Sequence, residues 1–476
     1  MKKLGLLIPT LLFAFVGLVP AQDDSSGDVA LPNPFDLKLS GTHTFDYRLP
    51  AYSDDFTYDQ DMKWPMFQNA LGLEAKQGKL KVVSNWEIDT FADPNQTSAD
   101  SWSTATRARY GENYVSWDPG KFIFSFGYQI YAWGVADIRN PTDNLNPIDY
   151  TDLGGEKPHK IPVLSSNLNW FPADSLSVTA VFVPQAQNSI FPIDYQEELA
   201  SEGFSNVTYK TIDGDPANFI AGGKLNYHSS AGDFSASYLY DFDSLYTPVV
   251  RLDSSENVTG IDLERKRIHR FGLDAKTTLG PYGVWAEACY SMTGNHDTSD
   301  YSERLSRIDY TVGFDFNYGP QDTYYLNLQY IGSVVPGFNY SANTNTSDMQ
   351  VYYDRMLVGF LGSEMEEVTQ GLTFNAQWNF ADSTFSPKVT GIYTVPFFYD
   401  DSRETRYGNL VLRPEIDVMP IDSFHIVVGA ILSYACVKTD GHVKLDTTVD
   451  PVGIYTPYNN VFISISYKWV YETAPQ

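Results

Sequence analysis

Hydrophobic and polar residues alternate along the segment 461–471 near the C-terminus. Its apolar set is Val461, Ile463, Ile465, Tyr467, Trp469 and Tyr471, and its polar set is Ser464, Ser466 and Lys468. Successive side chains of a β-strand point to opposite faces, so the segment predicts a strand with one apolar face and one wet face. Aromatic residues at the end of the apolar face are typical of a strand that lies between lipid and a watery lumen.

The same alternation recurs in eighteen segments, which are joined by connections of alternately short and long length. The predicted strands are 37–49, 66–76, 79–91, 107–117, 121–131, 163–170, 176–183, 219–228, 234–242, 267–279, 282–293, 307–318, 323–331, 368–380, 385–395, 408–419, 424–437 and 461–471. An even number is what bacterial barrels require, and sixteen is the alternative count because each strand signal is weak. The pattern therefore predicts an all-β fold, a transmembrane antiparallel β-barrel with short periplasmic turns and long extracellular loops.

Alternating strands also build soluble sandwiches and propellers, whose apolar faces point at a core. A propeller would need a repeat of about 40 to 50 residues, and the sequence has no such repeat. The connections alternate in length, and the polar faces of the predicted strands carry both charge signs. These features favour a barrel with a water-filled lumen.

The N-terminus has the features of a secretory signal. Lys2 and Lys3 precede an apolar run from Leu4 to Val19, and small residues precede Gln22. We predict a signal peptide over 1–21, a periplasmic N-terminal segment over 22–36, the barrel over 37–471 and a periplasmic tail over 472–476. No other stretch reaches about 18 apolar residues, so the sequence predicts no transmembrane helix. The expected location is the outer membrane of the cell, after export and cleavage of the signal.

Composition narrows the function further. Aromatic residues make up 15% of the chain, and the formal net charge is −27. Many aromatic residues exclude a disordered chain, and the acidic balance argues against nucleic-acid binding. Much of the acidic excess falls in the long connections, where it either keeps exposed loops soluble or gathers cations at the mouth of a pore.

Charged residues on the polar faces of the predicted strands are expected to line the lumen. They are Lys81, Glu87, Asp89, Arg109, Lys224, Arg270, Asp274, Lys276, Glu287, Asp309, Asp315, Lys388, Arg413, Glu415, Asp417 and Lys468. Positive and negative residues are mixed along the predicted wall, so we expect the electrostatic field in the lumen to be mixed as well.

A motif follows the fifth predicted strand, in the third long connection. It reads Gly127-x-Gln129-x3-Trp133-Gly134-x2-Asp137, followed by Asn140-Pro141-x-Asp143 and by Asn146-Pro147-Ile148-Asp149. Gly134 permits unusual backbone angles after the strand, and a residue before proline avoids the helical region. The motif therefore predicts a stiff, turn-rich loop.

This motif resembles a segment of large, poorly characterised outer-membrane barrel families of Gram-negative bacteria. The topology is similar to that of the porin superfamily, in which the third loop folds into the lumen and narrows it. The resemblance implies that six residues form or brace a constriction: Trp133, Asp137, Arg139, Asn140, Asp143 and Asp149. In the alternative interpretation these residues only hold a surface loop together, and the residues alone do not decide whether the loop enters the lumen.

The function predicted from these features is a porin-like channel for the passive diffusion of small hydrophilic solutes, with a preference for cations. A surface adhesin or receptor is the alternative, because the connections 184–217 and 334–366 are long enough to bind a partner. An enzyme is not expected, since none of the seven histidines lies in a Gly-x-Ser-x-Gly or His-Glu-x2-His context. The sequence predicts no metal site and no cofactor. The expected partners are membrane lipid, the solutes and the assembly machinery, which would recognise the C-terminal strand.

Overall fold

The computed structural model describes most of the barrel and part of the long connections. The described residues are 36–50, 65–92, 104–150, 159–190, 196, 199–200, 203–210, 216–294, 304–320, 323–338, 367–395, 398–399, 405–439, 442–446 and 459–473. The predicted signal peptide lies outside these residues, as do almost all of the predicted N-terminal segment and most of the predicted C-terminal tail.

The described residues form 25 β-strands and a short 3-10 helix, Pro216–Asn218, and residues 196, 199 and 200 are also helical. In chain order the first thirteen strands are β1 (Asp36–Pro50), β2 (Met66–Gln77), β3 (Leu80–Ala92), β4 (Thr104–Trp117), β5 (Phe122–Gln129), β6 (Ile148–Asp149), β7 (His159–Lys160), β8 (Val163–Ala173), β9 (Leu176–Val183), β10 (Val207–Tyr209), β11 (Ile220–Ser229), β12 (Gly232–Phe242) and β13 (Thr247–Leu252). The remaining twelve are β14 (Val258–Glu264), β15 (Arg267–Leu279), β16 (Tyr282–Met292), β17 (Arg307–Tyr318), β18 (Tyr324–Val334), β19 (Val368–Trp378), β20 (Phe385–Thr394), β21 (Phe398–Tyr399), β22 (Thr405–Ile421), β23 (Phe424–Thr439), β24 (His442–Asp446) and β25 (Asn460–Glu472).

Eighteen of these strands form one closed antiparallel barrel, which confirms the predicted fold class and count. Each strand pairs with the next barrel strand along the chain, and β1 closes the ring against β25 from Lys38↔Glu472 to Pro50↔Asn460. The start of β1 pairs with Lys76, beside the short turn that joins β2 to β3. Both ends of the barrel chain therefore lie at the end of the barrel that carries the short turns, as the sequence predicts.

The long connections contain structure that the alternation does not predict. β21 and β24 pair with the ends of β22 and β23, and β6 pairs with β7. Strands β10, β14 and β13 form a separate three-stranded sheet with its own apolar core, made of Leu199, Val207, Val250, Ile261 and Leu263. These strands are short, and a run of two to seven residues is too brief to show a clear period.

Strand β4 has an irregularity at Gly111 and Glu112, where the alternation of apolar and polar residues in the sequence is interrupted. The pairing of β3 with β4 shifts register between Ser84↔Asn113 and Trp86↔Tyr110, so β4 holds one extra residue there. Such a bulge moves the following side chains to the opposite face. Tyr110 before the bulge and Val115 after it are accordingly both exposed on the outside, although an odd number of positions separates them.

The two faces of the wall differ as the sequence predicts. Apolar and aromatic side chains such as Leu273 and Val312 are more than half exposed on the outer face. The inner face carries polar side chains that are almost completely buried, including Thr311 and Gln329. No helix in the described part of the chain is long and apolar enough to cross a membrane.

Aromatic rings cover glycines on neighbouring strands at five positions. The pairs are Gly41 with Trp469, Gly313 with Trp285, Gly332 with Tyr310, Gly391 with Phe374 and Gly429 with Phe462. A ring that lies flat over a glycine fills the space that a side chain would take and fixes the register of the two strands. A methyl group added to Gly313 would lie 2.6 Å from Cε2 of Trp285.

We expect Gly313→Ala to lower the free energy of unfolding by about 1–3 kcal/mol, because the new methyl group must displace a buried ring. Gly223→Ala is the matched control, since the nearest atom to its added methyl group is the Thr179 carbonyl oxygen at 3.4 Å. The control should change the stability by less than about 0.5 kcal/mol. Urea unfolding in detergent micelles measures both, and equal effects would contradict the packing described for Trp285.

Candidate functional site

The segment 130–150, here called the crossing segment, leaves the end of β5 and runs inside the barrel. Gln129 fixes its start by donating two hydrogen bonds to Ser165 on β8, to the carbonyl oxygen at 3.1 Å and to Oγ at 3.0 Å. The Ile130 amide donates to the Glu112 carboxylate at 3.1 Å, so the bulge in β4 also holds this end. Strand β5 stops at Gln129, two residues before the predicted end.

Asparagine and aspartate side chains brace the crossing segment internally. Asn140 donates through Nδ2 to the Trp133 carbonyl oxygen at 2.9 Å and accepts from the Thr142 amide at 3.2 Å. Asp143 accepts from Lys160 Nζ, which also donates to the Tyr131 carbonyl oxygen at 2.6 Å. Two of the six motif residues, Asn140 and Asp143, therefore shape the segment rather than face open space.

Two further residues of the motif, Asn146 and Gly134, fix the base of the crossing segment and a bend within it. Asn146 accepts from the Tyr131 amide at 2.7 Å and donates to the carbonyl oxygens of Gln129 and Ile161 at 3.0 and 2.9 Å. Gly134 has a φ of +89°, and a side chain there would collide with Asn140. Only glycine adopts this backbone angle at low cost, which explains its place after Trp133.

An apolar cluster fixes the crossing segment to one side of the wall. Trp133 is 5% exposed and packs with Tyr131 and Leu145 of the segment. The wall contributes inward-facing side chains of four neighbouring strands: Val163, Val181, Val183, Ile220 and Leu239. This contact explains why apolar residues lie on the inner face of the barrel, because the crossing segment removes them from water.

Polar contacts fix the tip of the crossing segment to strands farther round the wall. Glu287 on β16 accepts hydrogen bonds from the amides of Val135 and Ala136, and from the Thr142 hydroxyl at 3.1 Å. Asn327 on β18 donates to Asp137 at 2.5 Å. The Thr311 hydroxyl on β17 donates at 2.9 Å to the carbonyl oxygen of Arg139, which is the contact that the motif arginine makes with the wall.

The returning end of the crossing segment meets the wall near its starting point. Asp149 lies 3.6 Å from Arg109 on β4, and Arg109 also pairs with Glu87 and with Asp89 at 2.9 Å. Arg107, which the sequence did not single out, is 3.0 Å from Asp89. The segment thus contacts β4 at one end and β18 at its tip, and β18 is eight strands along the ring of eighteen from β5. These contacts place the crossing segment across the lumen.

The other predicted lumen charges lie on the inner face, mostly in pairs of opposite sign. The pairs are Lys81 with Glu74 at 2.9 Å, Lys224 with Asp274 at 3.4 Å, Asp309 with Arg307 at 3.2 Å, Lys388 with Glu415 at 2.6 Å and Arg413 with Glu415 at 2.7 Å. Asp417 is hydrogen-bonded to His425 at 3.3 Å. Lys276 lies 5.5 Å from the ring centroid of Trp285, Asp315 lies beside Gly283, and Lys468 is exposed. Pairing of opposite charges within a strand or between nearby strands offsets much of the field that each charge would project into the lumen.

A cluster of arginine and aspartate residues lies where β12, β15 and β17 approach the long connections. Arg304 and Arg307 lie 2.9 and 3.8 Å from the Asp243 carboxylate, and Arg270 lies 3.9 Å from Asp241. Burial alone would raise the pKa of Asp243, but the surrounding guanidinium groups outweigh it and hold the pKa well below its usual value. Among the lumen charges predicted from sequence, this cluster includes only Arg270. Asp243 and Arg304 lie outside the predicted strands, and Asp241 and Arg307 lie at the ends of predicted strands.

Searches with the sequence give no match to a protein-family model and none to a curated protein. Comparison of the fold does give matches. The crystal structure of OccAB4 from Acinetobacter baumannii has a TM-score of 0.50 and 11% identity, over 93% of this chain and 100% of that one. The structure of OpdK from Pseudomonas aeruginosa, determined with vanillate, has a TM-score of 0.50 and 8% identity, over 92% and 99%. At these identities the likeness concerns the fold.

The sequence identified the motif but not the residues that receive it. Lys160, Thr311 and Asn327 have no special spacing, and Thr311 and Asn327 lie far along the chain from their partners in the crossing segment. The one sequence signal for Thr311 and Asn327 is the alternation of polar and apolar positions, which places both on the polar face of a predicted strand. This alternation gives the face of the wall on which a side chain lies, but not its height along the barrel axis or its neighbour across the lumen.

We expect Asp243→Asn to destabilise the fold by about 3–5 kcal/mol at pH 7, because it removes the buried carboxylate that faces Arg304 and Arg307. A depressed carboxyl pKa stabilises the folded state at pH values above 3.8, which is the pKa of this carboxyl in the unfolded chain. This stabilisation is lost as the pH falls below 3.8. The gap between wild type and variant should therefore stay constant from pH 7 to about pH 4 and shrink below it. Urea unfolding at several pH values measures the gap, and a gap that widens on acidification would contradict the assignment.

Proposed function

We propose that this chain is an outer-membrane channel for small hydrophilic solutes and that the crossing segment forms its constriction. The observation that carries the proposal is the segment itself, held across the lumen by contacts to β4 at one end and to β16, β17 and β18 at its tip. A barrel of sixteen to eighteen strands leaves an aqueous channel unless something fills it. A loop fixed at both ends across such a lumen sets the width of the remaining path.

The apolar outer face of the barrel supports the membrane location. Exposed apolar side chains cover the outside of the barrel, and a lipid phase is the surrounding in which such a surface is stable. The fold is similar to those of OccAB4 and of OpdK, whose structure was determined with vanillate. In this proposal residues 1–21 direct export, the short turns lie in the periplasm and β25 is the strand that the assembly machinery recognises.

The six motif residues take different parts in the proposed constriction. Asp137, Arg139 and Asp149 attach the segment to the wall, and Trp133 packs its base. Asn140 and Asp143 hold its shape. The wall charges are largely paired, so we assign a cation preference to the acidic excess of the long connections and expect it to be modest.

A receptor or adhesin is the second candidate. The small sheet of β10, β14 and β13 has a buried core of its own, so two long connections present a folded surface rather than a flexible cover. Folded loops on a rigid barrel are a common place for binding sites. Loss of partner binding on trimming of this sheet, with conductance unchanged, would favour this candidate.

Purified protein in a planar lipid bilayer should give single-channel currents, because the lumen is wet and charged. In a salt gradient the reversal potential should have the sign of a modest cation preference, since the acidic connections raise the local cation concentration. Absence of conductance from folded protein would contradict the proposal. A reversal potential of the opposite sign would contradict the cation preference alone.

Shortening the crossing segment should raise the single-channel conductance about twofold or more, because conductance grows with the open cross-section. Residues 133–144 can be replaced by two glycines, since the Tyr131 amide and the Asn146 side chain are only 2.7 Å apart and the cut ends therefore lie close. The control replaces the turn 254–256 of the β13–β14 hairpin by two glycines and leaves the segment intact. Equal conductance of the shortened variant and the control would contradict the role of the segment.

A further inference from the structure

We propose that Glu287 is the positioning residue of the constriction: its carboxylate occupies an anion-binding turn in the crossing segment and holds the segment across the lumen. The inference rests on the proposed function, because positioning has a consequence only if the segment limits a path. It names one wall residue as the chief attachment of the tip.

The geometry of the contact is that of a carboxylate in a nest of backbone amides. Gly134 has a left-handed φ of +89°, and the two amides that follow it, those of Val135 and Ala136, both donate to Glu287 Oε1. Successive amides after such a bend form a concavity that binds anions. The Thr142 hydroxyl donates to Oε2 at 3.1 Å, so the segment supplies three donors to one carboxylate.

Because Glu287 is buried, both the carboxylate and the crossing segment depend on this contact for their hydrogen bonds. Glu287 is 3% exposed, and within the described part of the chain it forms no ion pair. A buried carboxylate must be hydrogen-bonded or paired, and here the donors come from the crossing segment. If the segment left the wall, the carboxylate would lose these donors, and the segment would lose its partner for two amides and a hydroxyl.

Neighbouring residues of the wall do not duplicate this role. Asp274, directly opposite Glu287 on β15, is engaged by Lys224 at 3.4 Å and by the Ser235 hydroxyl. Thr311, opposite on β17, and Asn327 each give the segment one hydrogen bond. Among these wall residues Glu287 receives the most hydrogen bonds from the segment, three in all, and two of them come from backbone amides.

The chain contains a natural reporter for the position of the segment. Cys289 lies two residues along β16 on the same inner face, is 2% exposed and has Asn144 Nδ2 of the segment 3.9 Å from its Sγ. Cys436 on β23 is 1% exposed and belongs to the opposite, outward set of positions. Release of the segment should uncover Cys289 alone, whereas general loosening of the barrel should uncover both cysteines.

The experiment measures the rate at which a charged methanethiosulfonate reagent modifies each cysteine in folded protein, with mass spectrometry to separate the two sites. Glu287→Ala should speed modification of Cys289 about tenfold or more, since losing one charge-assisted hydrogen bond already shifts an opening equilibrium by about that factor. Glu287→Gln should lie between Ala and wild type, because its amide oxygen still accepts. Cys436 should remain protected in all of them.

A second variant tests the contact from the segment side. Thr142→Val removes the bond to Oε2 and leaves the wall unchanged, so it should give a smaller acceleration at Cys289. Asp233→Asn is the matched control, since it removes a carboxylate that lies 2.8 Å from His228, far from the segment. It should leave both rates as in wild type.

The outcomes separate this inference from the proposed function. Modification of Cys289 at the wild-type rate in Glu287→Ala and Thr142→Val would overturn the positioning role, even if the protein conducts. Equal acceleration at Cys289 and Cys436 would also overturn it, because it would give Glu287 only a general structural role. Failure of the wild-type protein to conduct would remove the function and leave the thiol result standing.

Discussion

Every feature of this molecule depends on the pairing of its first and last barrel strands. β1 and β25 pair antiparallel along almost their whole length and convert an open sheet into a ring. An apolar surrounding offers no partner to a free strand edge, so a sheet spanning it must close on itself. Closure then dictates the two faces. Outward positions become apolar, inward positions can be polar, and the space inside becomes large enough for water and for a loop.

In the proposed channel, the crossing segment sets the width of a lumen that closure of the wall makes wide. It combines an apolar attachment near its base with polar attachments at its tip and its return. The base buries Trp133 against the wall, and the tip presents backbone donors to Glu287. Hydrophobic burial fixes where the segment lies but not its direction, and directed hydrogen bonds supply the direction. The two kinds of contact lie on different strands, so the segment is held across the lumen rather than against one side.

The alternation of residues predicted the strands well because the barrel wall has an apolar outer face and a polar inner face, and these impose a period of two. It failed where that cause is missing. The short strands of the long connections, such as β10 and β13, pack on a small local core, and the bulge at Glu112 breaks the period itself. The motif predicted a stiff loop, but the donors and acceptors that receive it, Glu287 and Asn327 among them, depend on which strands face each other across the ring. That relation is set by the strand count and stagger, not by local sequence.

The position of the crossing segment can be measured directly by cross-linking its tip to the wall. Asp137 and Asn327, whose side chains are 2.5 Å apart, would be replaced by cysteines in a chain that lacks Cys289 and Cys436. A short thiol cross-linker should join them within one folded chain. The control pairs Asp137→Cys with Ala70→Cys on the inner face of β2, distant from β18 along the wall, and should give no product. A link between Asp137 and position 70 as efficient as the link to position 327, or no link to position 327, would contradict a segment held across the lumen.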